Sequence, residues 1–88
     1  MRHFHGKTLC VDLPAAKRAA IEKLAGEMGA RVVQEVVDNC LLVSTRSDSE
    51  KVAKARKCKN VKIVTPNFVE ECKQLDAYLD ERTYFLKL

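Results

Sequence analysis

No Cys-x-x-Cys pair, no run of eighteen apolar residues and no linker, internal repeat or low-complexity segment occurs in this 88-residue sequence. The first absence argues against a zinc site, whose ligands usually come in close pairs. The second argues against a membrane span, and the opening Met1-Arg2-His3-Phe4-His5-Gly6 lacks the apolar stretch of a signal peptide. The third leaves a single domain over residues 1–88, too small for a second core or for a ligand-enclosing enzyme body. A soluble intracellular module is expected, with no cofactor, no metal and no small-molecule substrate.

Histidine is scarce, and His3 and His5 have no Ser, Cys or carboxylate beside them at a recognisable catalytic spacing. They read as solvated and structurally idle. The four cysteines, Cys10, Cys40, Cys58 and Cys72, allow two disulfides in three connectivities. Cys10, Cys40 and Cys72 each hold an apolar position, so they read as reduced thiols acting as small hydrophobes. Cys58 lies between Lys57 and Lys59, the setting of a reactive thiol, but no candidate base accompanies it. No catalytic constellation emerges, and the chain is read as a non-enzyme.

What is present is a regular succession of buried strands and helices. Thr8-Leu9-Cys10-Val11 is a nearly continuous apolar run, as in a strand covered on both faces. A helix is expected from Pro14, with Asp12 complementing its positive end, and Ala16, Ala20, Ile21, Leu24, Ala25 and Met28 forming its apolar stripe up to Gly29. Arg31-Val32-Val33 reads as a second strand, with Val36-Val37 either continuing it or turning. Cys40-Leu41-Leu42-Val43-Ser44 reads as a third. Ser47-Asp48-Ser49-Glu50 has capping-box spacing and predicts a short helix through about Arg56. Lys62-Ile63-Val64 is a fourth strand. Thr65-Pro66 then caps and starts a helix with Phe68, Val69, Cys72 and Leu75 on one face. The tail, with Tyr78-Leu79 and Tyr84-Phe85-Leu86, is apolar enough to lie back on the domain. Buried-type strands separated by helices point to a parallel sheet.

This order, with its punctuation, resembles the BRCT domain, an interaction module of DNA-repair and checkpoint proteins. Phe4-x-Gly6 resembles the family's opening Phe-x-Gly, and Gly29-Ala30 stands at its Gly-Gly. Cys40-Leu41-Leu42-Val43 is similar to its Thr-His-Leu-Val strand, and Lys51 to Val64 to its "Lys-Ala … Ile-x-Ile-Val" passage. Most specific is Val64-Thr65-Pro66-Asn67-Phe68-Val69-Glu70-Glu71-Cys72, close to Val-Thr-Pro-Glu-Trp-Leu-x-x-Cys. The likeness runs from Phe4 to about Tyr84, with Phe68 in place of the usual Trp. It implies an α/β fold: a four-stranded parallel sheet in order 2-1-3-4, the first and third helices on one face and the second on the other. Phe4, Gly6, Gly29, Phe68 and Cys72 then become structural core. The segments Ile21-Glu22-Lys23-Leu24, Leu41 to Thr45 and Glu50-Lys51-Val52 look like the BRCT segment of poly(ADP-ribose) polymerases.

In phosphopeptide-binding members, a Ser or Thr followed by Gly at the end of the first strand, with a Lys near the second helix, holds the phosphate. The matching positions here are Asp12 and Leu13, with Lys54 or else Lys51 as the lysine. A carboxylate removes a donor and repels a dianion, and Leu blocks close backbone approach. The standard pocket is therefore expected to be degenerate, with the lysine free to pair internally with Asp12.

The net charge of +4 is local. Residues 45–64 hold seven basic and two acidic groups, whereas residues 65–88 hold three and five. Arg46, Lys51, Lys54, Arg56, Lys57, Lys59 and Lys62 form either a solvated face or a footprint for the backbone of DNA or poly(ADP-ribose). No aromatic is interleaved, which disfavours a stacking platform. The reading is thus a non-catalytic protein-interaction module, possible partners including another BRCT domain, with weak nucleic-acid binding through segment 46–62 as the alternative. The family resemblance implies a nuclear location.

Overall fold

The computed structural model describes residues 3–87; Met1, Arg2 and Leu88, the ends of the expected domain, lie outside the described residues. In chain order the elements are β1 (Thr8–Asp12), α1 (Ala15–Glu27), β2 (Arg31–Val33), β3 (Cys40–Ser44), α2 (Glu50–Lys57), β4 (Lys62–Val64) and α3 (Pro66–Leu75), followed by a 3-10 turn at Glu81–Tyr84. The strands form one sheet in the order β2-β1-β3-β4, and all three pairings are parallel. No described helix is long and apolar enough to cross a membrane.

Alternation along each central strand divides the apolar residues between two cores. Leu9, Val11, Leu41 and Val43 face one way and pack with Ile21, Ala25 and Met28 and with Phe68, Val69 and Cys72 of α3. Cys10, Cys40 and Leu42 face the other way and pack with Val52 and Ala55 of α2. This is why β1 and β3 read as continuous apolar runs: α1 and α3 cover one face and α2 covers the other. Phe68 stands in an aromatic group, its ring 5.9 Å from Phe4, 5.4 Å from Tyr78 and 5.5 Å from Tyr84. The smaller ring that replaces Trp is thus enclosed by other aromatics and fully buried.

Several local expectations need correction. No acid occupies the first turn of α1, whose N-cap is Pro14; Asp12 ends β1 and accepts from Ser44. Ala16 and Ala20 are exposed, so the buried stripe of α1 is shorter than its spacing suggests. The α2 cap is Ser49, which accepts from the Val52 N–H at 3.2 Å, rather than Ser47. Its third helical residue is then Val52, and no reciprocal box forms. Thr65 is the N-cap of α3 but makes no side-chain cap. Leu75 is 61% exposed, because α3 ends at Asp76 in a left-handed conformation and its last turn overhangs the core. Gly6 is exposed rather than core; at φ +80° it supplies a backbone turn that few other residues adopt.

The tail does lie back on the domain. Phe85 forms an antiparallel bridge with Val64, and the Leu86 N–H donates to Ile63 O at 2.9 Å. The β4 edge is thereby partly covered. At the other end His3 is not idle: its Nε2 lies 2.5 Å from Asp76 Oδ1.

Candidate interaction surface at the strand carboxyl ends

Asp12 and Ser44 end the paired strands β1 and β3 and face each other in register. Ser44 is fully buried; its hydroxyl donates to Asp12 Oδ2 at 3.1 Å and accepts from the Arg46 N–H at 3.2 Å. The carboxylate at the family's hydroxyl position therefore has an internal donor. An open cleft of about 440 Å³ lies beside it, lined by Asp12, Leu13, Arg46, Asp48, Ser49 and Glu50 among others. Arg46 is held by Asp48, with Nε 3.3 Å from Oδ1. The cleft lining thus carries three acidic side chains, Asp12, Asp48 and Glu50, against one guanidinium.

Lys54 and Lys51 do not join this cleft. Lys54 Nζ lies 3.2 Å from Glu35 Oε2, and Lys51 Nζ donates to Gln34 O at 2.8 Å. Both lysines are turned toward the chain after β2, so the expected pairing of Lys54 with Asp12 is replaced by one with Glu35. Sequence reasoning also missed Asp48 and Glu50 as cleft walls. Their signal lies in the two acids of the Ser47–Glu50 segment.

The basic segment is divided in the same way. Arg46 pairs with Asp48, Lys54 with Glu35 and Lys62 with Glu81, the last at 2.6 Å. Arg56, Lys57 and Lys59 have no ion-pair partner among the described residues, and they cluster at the carboxyl end of α2. Cations there complement the negative end of the helix dipole. Glu81 is the most enclosed of these acids. Burial works against its charge, but hydrogen bonds from Lys62 and Tyr78 outweigh it and hold the carboxyl below its ordinary value. Tyr78 is pushed up in turn, by burial and then by Glu81.

An apolar groove adjoins the acidic cleft, sharing Leu13 and Thr45 with it. It encloses about 470 Å³ between the amino ends of α1 and α3, with Leu13, Ala20, Ile21 and Pro66 as its apolar lining and Lys17 and Glu70 at its margins. The carboxyl ends of the strands therefore offer an apolar slot that runs into a negatively charged one.

Comparison with solved structures gives the same architecture. The chain superposes on the C-terminal BRCT domain of human XRCC1 with a TM-score of 0.83 at 12% identity, covering 98% of this chain and 94% of that one. The structure of fission yeast Fcp1, an RNA polymerase II CTD phosphatase, matches with a TM-score of 0.83 at 29% identity, over 96% of this chain and 25% of that one. Rad4 BRCT domains in complex with a Crb2 phosphopeptide match with a TM-score of 0.77 at 18% identity, over 97% of this chain and 52% of that one. No curated protein sequence matches the chain. Nothing in these likenesses supports the closer resemblance to poly(ADP-ribose) polymerases. The model of the BRCA1 C Terminus (BRCT) domain matches residues 1–73, from the Phe4 turn through Cys72. The chain belongs to the BRCT family.

Proposed function

We propose that this domain is a non-catalytic protein-interaction module of a DNA-repair, replication or chromosome-associated nuclear protein, and that it engages its partner without the standard phosphoserine pocket. The observation that carries the second half is the hydrogen bond from Ser44 to Asp12 beside a cleft that neither Lys51 nor Lys54 enters. The nuclear setting rests on the family and on relatives of the fold that include the DNA-repair protein XRCC1. Rad4 is crystallised with phosphopeptides; the hydroxyl, glycine and lysine that such recognition needs are replaced or redirected here.

The partner segment is unphosphorylated, with an apolar side chain over Leu13, Ile21 and Pro66 and a basic one toward Asp12 and Asp48. Titration of a ¹⁵N-labelled domain with an unphosphorylated peptide library, apolar and basic at adjacent positions, tests this. Shifts centred on Leu13 and Ile21 and abolished by Leu13→Glu are expected. Shifts confined to the α2 carboxyl end contradict the reading.

A second reading, binding of a DNA or poly(ADP-ribose) backbone, is favoured by Arg56, Lys57 and Lys59, which have no ion-pair partner among the described residues. It predicts affinity for duplex DNA that falls steeply with salt and is lost on charge reversal of these three. Undetectable binding at low ionic strength removes it.

A further inference from the structure

Three of the four cysteines lie on the α2 side of the sheet. Cys10 and Cys40 are buried in that core, and Cys58, the residue after α2, packs against the same core while half-buried. The segments around Cys40 and Cys58 are laced together. The Asn39 N–H donates to Lys59 O at 2.8 Å, the Lys59 N–H donates to Asp38 Oδ1 at 2.8 Å, and Asn60 Nδ2 donates to Asn39 Oδ1 at 3.0 Å. Asn39 and Asn60 both adopt left-handed backbone, at φ 64° and 56°. Residues 39 and 59 are therefore direct neighbours, and Cys40 and Cys58 each stand one position from that contact, against one core. Burial pushes the Cys40 thiol up, and the nearby Cys58 adds to it.

We propose that Cys58 and Cys40 form a peroxide-responsive dithiol, Cys58 as the sulfur that reacts first and Cys40 as the sulfur that closes the disulfide. Accessibility fixes the order, since Cys58 is partly exposed and Cys40 is 3% exposed. The Cys58 thiolate attacks one oxygen of hydrogen peroxide; the O–O bond breaks, water leaves after protonation, and Cys58 becomes a sulfenic acid. The Cys40 thiol then gives up its proton and attacks the Cys58 sulfur. The S–O bond breaks, a second water leaves, and the S–S bond forms. Two thiols are oxidised by two electrons and one peroxide is reduced to two waters.

Cys10 is the alternative disulfide partner of Cys40, and the sheet register disfavours it. Thr8 pairs with Cys40, so Cys10 lies two residues along β1. That step of about 7 Å, added to the interstrand spacing, exceeds the usual Cα separation of a disulfide. Cys72 belongs to the opposite core, where its Sγ accepts from the Leu79 N–H at 3.4 Å.

The test treats the reduced full chain with hydrogen peroxide, alkylates remaining thiols, and reads intact mass and a disulfide peptide map. The expected product is monomeric, has lost two hydrogens, retains two alkylatable thiols and contains a Cys40–Cys58 linked peptide. Cys58→Ser, shown to be folded by circular dichroism, should lose thiols about tenfold more slowly, while Cys40→Ser should stop at a dimedone-trappable sulfenic acid on Cys58. Four free thiols after peroxide, a link through Cys10, a link between chains, or unchanged thiol loss in Cys58→Ser would each overturn the proposal.

Discussion

Ser44 donates its hydroxyl to the Asp12 carboxylate across 3.1 Å, joining the ends of β1 and β3 at the position where phosphopeptide-binding relatives are expected to present a free hydroxyl. A carboxylate with its own internal donor thus stands at that position. Beside it lies an apolar groove with an acidic extension.

Phe68→Ala should cost about 3–5 kcal/mol, because the ring is fully buried among Phe4, Tyr78 and Tyr84. For a domain whose whole stability is on the order of 5–10 kcal/mol, that is enough to leave much of the population unfolded at moderate temperature. Thermal denaturation checks it, and an unchanged melt contradicts the packing described.

Gly6→Ala should cost about 1–2 kcal/mol, the penalty of a left-handed backbone for a residue with a Cβ. Beyond Gly6 and its two chain neighbours no atom lies within 4 Å of the added Cβ, so the effect is conformational and not a clash. Gly6→Asn should therefore recover part of the loss in a denaturant titration. Equal losses for the two would point to steric contact instead.

Ser49→Ala should lower stability by about 1 kcal/mol through loss of the α2 cap, whereas Ser47→Ala should change it little. Paired denaturant titrations distinguish the two. The sequence presents Ser47-x-x-Glu50 and Ser49-x-x-Val52 side by side, and only the structure shows which serine accepts from an N–H of the first turn. Other parts were easier to read. The both-faces apolar runs of β1 and β3 and the Thr65-Pro66 start of α3 announced themselves, since each follows from local pattern. The fate of the lysines did not: Lys54 meets Glu35 and Lys62 meets Glu81 across elements 19 residues apart, and no local spacing encodes such pairs. The exposure of Leu75 likewise follows from where α3 stops, which depends on the left-handed Asp76.

Glu81→Gln should destabilise the domain by about 1 kcal/mol near neutral pH, where the carboxylate accepts from Lys62 and Tyr78. Because hydrogen bonds from Lys62 and Tyr78 hold the folded-state pKa of Glu81 below its ordinary value, its contribution is full above the unfolded pKa and is lost as pH falls through the folded one. The stability gap between wild type and variant should therefore close as the pH is lowered through the folded-state pKa of Glu81. A gap that is constant from neutral to acid pH contradicts the charge-based origin.

The most direct test of the central claim is a paired calorimetric titration of the domain with a phosphoserine peptide library and its unphosphorylated counterpart, repeated with Lys54→Ala. The account predicts that phosphorylation gives no gain in affinity and that Lys54→Ala changes neither titration. Phosphate-dependent binding that is lost in Lys54→Ala would contradict it, showing that Lys54 leaves Glu35 to hold a phosphate beside Asp12.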